Sequence, residues 1–118
     1  MIAEGLVTNG VRVYITARNA AACDATAKRL SEMGECISVP ADLSTAEGVD
    51  ALAAAITERD DKLHILVNNA GAAWGAPIDE FPEAGFDKVM DINVKAPFML
   101  TQKLLPQLRA AATPDDPA

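Results

Sequence analysis

Residues 63–71 read L-H-I-L-V-N-N-A-G, and this stretch decides the fold. Its first five residues are almost continuously apolar, which is typical of a strand covered on both faces. Two asparagines, an alanine and a glycine follow directly. Small residues let a backbone approach a ligand closely, and glycine tolerates a tight turn. The stretch therefore predicts a buried strand that ends in a ligand-contacting turn at Asn69, Ala70 and Gly71, rather than a plain turn.

Shorter stretches with strand character precede this one, at residues 11–16 and 36–40. Helical patterns separate and follow the strands, with Asn19 as the N-cap of the second and Ser44 and Glu47 as a capping box on the third. These patterns cover residues 1–7, 19–33, 44–56 and 83–110. Strands that alternate with helices of this length predict βαβ units, and therefore an α/β fold with a doubly wound parallel sheet.

The composition excludes several classes of function. The chain has 118 residues, of which 50% are apolar and 23% charged, as in one globular domain. Ten Lys and Arg against seventeen Asp and Glu give a net charge of −7, which disfavours binding to a nucleic-acid backbone. Cys23 and Cys36 are too few for a disulfide scaffold, and His64 is the sole histidine, so no zinc cluster is expected.

The sequence also gives an expectation for the compartment. Its apolar runs are too short to span a membrane, and residues 1–4 lack the basic region and the long apolar core of a signal peptide. We therefore expect a cytoplasmic protein with reduced thiols and no membrane partner.

Ligands of doubly wound sheets bind beyond the carboxyl ends of the strands, so the residues that follow each strand are the candidates. Arg18 stands near the point where NAD-binding folds carry an acidic residue, and a guanidinium suits a 2′-phosphate instead. Asp42 can accept a hydrogen bond from an adenine amino group while Leu43 covers the ring. A solvated loop arginine and a helix-starting aspartate are the alternatives.

Asn93 lies on the apolar stripe of the long helical pattern, where a polar amide needs a partner. Pro97 has no N–H, and its ring clashes with the carbonyl of Asn93. We therefore expect a kink, with that carbonyl left to hold another group such as a water; a polar residue that satisfies itself at the kink is the alternative. A second apolar face comprises Val94, Phe98 and Leu105, and the stripe itself comprises Phe86, Val89 or Met90, Pro97, Leu100 or Thr101, Leu104 and Leu108.

Together these residues resemble the classical short-chain dehydrogenases/reductases, over nearly the whole chain. The resemblance rests on residues 66–71, on Asn93 a little over twenty residues further on, and on Asp42 where the family places its adenine contact. Arg18 stands where NADP-preferring members carry an arginine. Within the family, residues 69–76 are similar to 3-oxoacyl-acyl-carrier-protein reductases, and among these to the branch associated with rhamnolipid synthesis.

The resemblance implies a Rossmann-type fold and hydride transfer between a nicotinamide and a carbonyl or alcohol. It implies NADP rather than NAD as the cofactor, a 3-oxoacyl-type substrate on a small molecule or an acyl carrier, and a place in fatty acid metabolism. It also implies a homodimer or homotetramer formed through the long helix. For Asn93 it implies a catalytic role, in which the main-chain carbonyl holds a water in a proton relay to an active-site lysine. The cofactor contacts that it implies are Arg18, Asp42, Leu43, Asn69, Ala70 and Gly71.

The family's glycine-rich turn, its catalytic serine and its Tyr-x-x-x-Lys pair have no counterpart in these residues. We therefore expect residues 1–118 to be a single incomplete dinucleotide-binding domain, a fragment of a reductase of roughly twice the length that is inactive alone. In the family, a further strand lies between those at residues 11–16 and 63–67, so we expect both edges to lack a partner. The alternatives are a non-catalytic dinucleotide-sensing or dimerising module and another Rossmann-type fold such as a methyltransferase.

Overall fold

A two-stranded parallel sheet organises residues 1–42 in a computed structural model that describes all of residues 1–118. Strand β1 (Val13–Ile15) pairs with β2 (Cys36–Ser38), and Val13, Tyr14 and Ile15 lie opposite Cys36, Ile37 and Ser38. Helix α1 (Ile2–Thr8) precedes β1, and α2 (Ala20–Leu30) connects the two strands. The predicted βαβ unit is confirmed, although both strands are shorter than the sequence indicated.

The core of this unit joins both helices to the sheet. Its buried members come from α1, β1, α2 and β2, and they are Val7, Val13, Ala27, Leu30 and Cys36. Asn19 caps α2 as predicted, because its side chain accepts from the backbone N–H of Ala22 at 3.0 Å. The predicted extension of α2 to Met33 is wrong: the helix ends at Leu30, and Met33 is exposed.

Helix α1 ends in a Schellman motif, the glycine-dependent turn that closes many helices. The N–H of Gly10 donates to the carbonyl of Val7 at 3.0 Å, and the N–H of Val11 donates to that of Leu6 at 3.1 Å. Gly10 has a φ of 82°, in the left-handed region that a side chain disfavours. The turn at Asn9 and Gly10 therefore depends on the glycine.

Gly10→Ala is expected to lower the free energy of unfolding by about 1 kcal/mol, because alanine is strained at this φ. Gly5→Ala is the matched control in the same helix, since a Cβ there meets no atom within 4 Å. It should raise stability by about 0.5–1 kcal/mol through helix propensity. Urea unfolding of the two variants checks the opposite signs, and equal effects would contradict the role of Gly10.

Both cysteines of this unit are free and buried. Burial raises the pKa of the Cys36 thiol, and the neighbouring Cys23 raises this pKa further. The hydroxyl of Ser31 donates to the Cys36 carbonyl at 3.1 Å, which fixes the end of α2 against β2. Cys36 is therefore a protonated core residue at neutral pH and not a reactive thiolate.

A raised thiol pKa makes stability depend on pH. The folded state holds the Cys36 proton more tightly than the unfolded state, so this stability is complete below the unfolded pKa and is lost as pH rises through the folded one. We expect the unfolding free energy to fall at alkaline pH by about 1.4 kcal/mol for each unit by which the pKa is raised. In Cys36→Ala, urea unfolding between neutral and alkaline pH should show a smaller decline; an identical decline would contradict this assignment.

Residues 43–118 form a second, helical unit. It contains α3 (Ala46–Thr57), α4 (Glu83–Met90) and α5 (Ala96–Ala111), with a short 3-10 turn at Ile78–Glu80. Helix α3 packs against α5, and Lys103 of α5 forms an ion pair with Asp50 of α3. The predicted apolar face of α3 is buried, and the buried residues of the two helices are Val49, Leu52, Ala53, Ile56, Ala96, Leu100 and Leu104.

The predicted start of α3 is wrong by one residue. Thr45, not Ser44, is the N-cap, and its hydroxyl accepts from the N–H of Gly48 at 3.0 Å. The last non-helical residue supplies the cap, and the backbone of Thr45 is still extended (φ −116°, ψ 149°). The capping box between Ser44 and Glu47 is therefore not formed.

Residues 63–67 are not a buried strand, which corrects the prediction from their apolar pattern. They lie in no sheet, and the side chains of Ile65 and Val67 are 54% and 46% exposed. The N–H of Leu63 donates instead to the carbonyl of Gln107 in α5, at 3.1 Å. A β-strand is defined by its hydrogen bonds to a neighbouring strand, and residues 63–67 pair with no strand in the chain. This agrees with the expectation that the edge lacks a partner.

The apolar stripe of the long helical segment is buried only in its second half. Leu100 and Leu104 are buried, whereas Phe86, at the start of the predicted stripe, is 57% exposed. On the predicted second face, Val94 and Phe98 are 54% and 67% exposed. No helix of the structure combines the length and apolar character that crossing a membrane requires.

Candidate functional site

Asn93 holds the loop that follows residues 63–67. Its Oδ1 accepts from the N–H of Ala72 at 2.9 Å, and its Nδ2 donates to the carbonyl of Ala72 at 2.7 Å. The side chain of Asn93 therefore satisfies both the N–H and the carbonyl of Ala72. The Asn93 amide therefore has the hydrogen-bond partner that was expected for it, and this partner is the backbone of Ala72. We call this pair of hydrogen bonds the Asn93–Ala72 clamp.

The helix is irregular where Asn93 lies. Residues Asp91–Lys95 form a π-helical segment, and the N–H of Ala96 donates to the carbonyl of Asp91, five residues back. Pro97 follows and cannot donate to the carbonyl of Asn93. The expected irregularity is therefore present, as a π-helical segment between α4 and α5. Such segments occur frequently at functional sites.

The turn at Asn69, Ala70 and Gly71 lies beside the clamp. All three residues are exposed, and the N–H of Asn69 donates to the carbonyl of Val67 at 3.1 Å. A Cβ at Gly71 would lie 3.0 Å from Oδ1 of Asn93. Glycine therefore permits the close approach of this turn to the helix, and the structure brings Asn93 and Gly71 together.

A further contact in this loop was not predicted from the sequence. Trp74 lies over Gly85 of α4, where a Cβ would be 2.7 Å from Cδ2 of the indole. The ammonium of Lys88 lies 5.7 Å from the centroid of the same ring. No local pattern in the sequence links Trp74 to a residue eleven positions further on.

Arg18 and Asp42 belong to the first unit, where they follow the carboxyl ends of β1 and β2. The N–H of Ala41 donates to the carbonyl of Ala17 at 3.2 Å, so the segments that lead to Arg18 and Asp42 run side by side. Arg18 is exposed, and its guanidinium makes no ion pair or hydrogen bond within the chain. The Oγ1 of Thr16, at the same end of β1, is buried without a partner.

Leu43 is the first residue of the second unit, and it is buried. Its side chain lines a cavity of about 120 Å³ whose other walls come from α3, the π-helical segment and α5. Little of its surface is open to a ligand, so the adenine contact stays a prediction. No group of His, Cys, Asp and Glu side chains is arranged to hold a metal ion.

These features agree with what known proteins show. Residues 1–113 match the family model described as short chain dehydrogenase, and the chain belongs to this family. It is 50% identical over its whole length to a rhamnolipid-biosynthesis 3-oxoacyl-[acyl-carrier-protein] reductase of Pseudomonas aeruginosa, of which it covers 46%.

Solved structures give the same result for the fold. The complex of Pseudomonas aeruginosa RhlG with NADP matches 99% of the chain with a TM-score of 0.93 and 50% identity, over 46% of its own length. A metagenomic short-chain oxidoreductase in complex with NADP matches 92% of the chain with a TM-score of 0.85 and 32% identity, over 50% of its own length. The chain thus spans about half the length of these relatives.

Asn93→Ala removes both hydrogen bonds of the clamp and is expected to cost about 1–2 kcal/mol of unfolding free energy. Asn68→Ala is the matched control, since that exposed asparagine makes no hydrogen bond. Urea unfolding and amide hydrogen exchange of Ala72 provide the measurements, and exchange should accelerate only in the Asn93 variant. Equal exchange rates in the two variants would mean that the clamp does not protect this amide.

Proposed function

We propose that this chain supplies the dinucleotide-contacting part of an NADP(H)-dependent reductase that converts a 3-oxoacyl-type carbonyl into a hydroxyl. The observation that carries the proposal is the unpaired guanidinium of Arg18 at the carboxyl end of a parallel strand pair, next to the segment that leads to Asp42. The NADP complexes of similar structures and the reductase activity for which the Pseudomonas relative is named support it.

Arg18 is the group that we assign to the 2′-phosphate of NADP. A guanidinium presents forked donors to phosphate oxygens and keeps its charge at every physiological pH. An exposed arginine without an internal partner does not have to break an ion pair in order to bind a ligand. Asp42 is assigned to the adenine amino group, and Leu43 contributes through the part of its surface that remains open. NAD lacks the 2′-phosphate and would leave Arg18 without its partner.

The turn at Asn69–Gly71 fits the approach of a dinucleotide. It is exposed and built from small residues, and the clamp holds the segment directly behind it. A side chain at position 71 would press on the Asn93 amide, so glycine keeps the turn and the clamp compatible. We assign Asn69, Ala70 and Gly71 to main-chain and side-chain contacts with the ribose.

When bound, the nicotinamide of the cofactor supplies or accepts the hydride of the reaction. The chain's own contribution at that point is the main-chain carbonyl of Asn93. One N–H and one lone pair of the Asn93 amide are engaged by Ala72, and the main-chain carbonyl of Asn93 is a separate acceptor that we assign to a water. Pro97 supports this role, since it has no N–H to occupy the same oxygen. We propose that this oxygen orients a water within a proton relay.

We also propose an oligomeric state, a cellular location and a substrate class for the protein. The exposed Val94 and Phe98 on the long helical segment fit the homodimer or homotetramer that the family resemblance implies. The two free cysteines fit a cytoplasmic location, where thiols stay reduced. The acyl group that carries the carbonyl is assigned by the relative's activity, on a small molecule or on an acyl carrier.

Arg18→Ala tests the cofactor assignment in the full-length polypeptide expressed from its gene. Loss of charged hydrogen bonds to the 2′-phosphate, about 1.5–3 kcal/mol, should raise the KM for NADPH by about 10- to 150-fold and leave that for NADH nearly unchanged. Steady-state kinetics with a 3-oxoacyl thioester and each cofactor measure this.

Arg12→Ala is the matched control, because Arg12 precedes β1 at the opposite end and pairs with Glu35 at 3.0 Å. It should leave the preference between the two cofactors unchanged. Equal losses with NADPH and NADH in Arg18→Ala would reject the assignment of Arg18, and absence of any reductase activity in the wild-type protein would reject the proposed function.

A further inference from the structure

The indole of Trp74 packs so closely on α4 that a side chain at position 85 would overlap it, and this position is a glycine. A Cβ at Gly85 would lie 2.7, 2.8 and 2.9 Å from three atoms of the ring, which is closer than real carbon atoms approach. Gly85 is itself buried, although its neighbours on α4 are exposed. Glycine inside a helix is unfavourable by propensity, so the flat contact with Trp74 provides the physical reason for it here.

We propose that Trp74 and Gly85 form a steric lock that fixes the segment after the Asn69–Gly71 turn onto α4, and that Trp74 is thereby a positioning residue for cofactor binding. This inference rests on the proposed function, because the turn is assigned there to the dinucleotide. Trp74 acts through the turn and does not itself touch the cofactor.

The geometry of the two attachments explains why the side chain must be large. Ala72 is held by Asn93, and Trp74 by Gly85, eight residues earlier on the helical segment. Eight helical residues span about 12 Å, whereas two extended residues span at most about 7 Å. The remaining distance has to be covered by the side chain at position 74, and tryptophan has the longest rigid ring system available. A shorter side chain would leave the loop attached at one point only.

Lys88 makes a second contact with the Trp74 ring. Its ammonium lies 5.7 Å from the ring centroid, within the range of a cation–π contact, while Trp74 as a residue remains 43% exposed. Lys88 stands three residues after Gly85 and therefore projects from the same side of α4. The indole therefore contacts two residues of α4, Gly85 and Lys88.

The experiment uses the full-length polypeptide and four variants: Gly85→Ala, Trp74→Ala, the double variant, and Trp74→Phe. Trp74 is the only tryptophan in residues 1–118, so it reports on the lock if the full-length polypeptide has no other. We expect Gly85→Ala to red-shift the emission and to increase quenching by acrylamide, because the added methyl displaces the ring into water. The dissociation constant of NADPH should rise about tenfold, with kcat at saturation nearly unchanged, since a misplaced binding turn weakens ground-state binding.

Two glycine variants, Gly75→Ala and Gly5→Ala, are the controls. Gly75 lies next to Trp74 in the loop, and Gly5 lies inside a helix. At both positions an added Cβ meets no atom within 4 Å. Neither variant should change the emission or the NADPH dissociation constant. The double variant should bind NADPH no more weakly than Trp74→Ala alone, because the methyl at position 85 harms nothing once the ring is absent. Trp74→Phe, which keeps a ring but shortens it, should lie between wild type and Trp74→Ala.

The outcomes separate the lock from the proposed function. Non-additive losses of NADPH affinity together with the red shift support the lock. Additive losses, or an unchanged dissociation constant in a variant whose indole has moved, overturn it while the reductase assignment stands. A wild-type protein that does not bind NADPH overturns the proposed function and the positioning role with it, whereas the emission shift of Gly85→Ala would still support the steric contact.

Discussion

A single amide side chain attaches the loop at residue 72 to the long helical segment, because Asn93 satisfies both the N–H and the carbonyl of Ala72. The geometry of this pair requires the loop to approach the helix closely, and that requirement explains the glycine at position 71. It also engages both polar atoms of the Asn93 side chain, through one lone pair of Oδ1 and one N–H of Nδ2. The π-helical segment and Pro97 lie at the same point, where the regular hydrogen-bond pattern is already interrupted.

Each unit carries residues that we propose for cofactor contacts, and the two sets of residues differ in kind. The first offers charge, through a guanidinium with no internal partner at the carboxyl end of β1. The second offers backbone geometry, through a turn of small residues that is secured from behind. Charge discriminates between phosphate and hydroxyl, and a fixed backbone sets the distance of approach.

Local patterns predicted the elements that form from local interactions. The cap at Asn19, the buried face of α3 and the irregular helix before Pro97 each depend on residues within one or two turns, and each is present. The strand at residues 63–67 could not be predicted correctly, because a strand needs a partner and an apolar pattern does not reveal whether one exists. The start of α3 was displaced because two adjacent hydroxyl residues fit the same capping pattern. The contact between Trp74 and Gly85 depends on the tertiary path of a loop, which no spacing encodes.

The contiguity of the first unit has a consequence for biosynthesis. Its helices, its ladder and its core all lie within 42 consecutive residues, and the crossover between the two strands is short. Domains generally fold as units, with earlier segments first as the chain leaves the ribosome. The strand pair that carries Arg18 can therefore assemble while α3 and the long helical segment are still being translated. The assembled pair still exposes one free edge on each strand, and such edges invite pairing with any unfolded β-segment, whether of the same chain or of another.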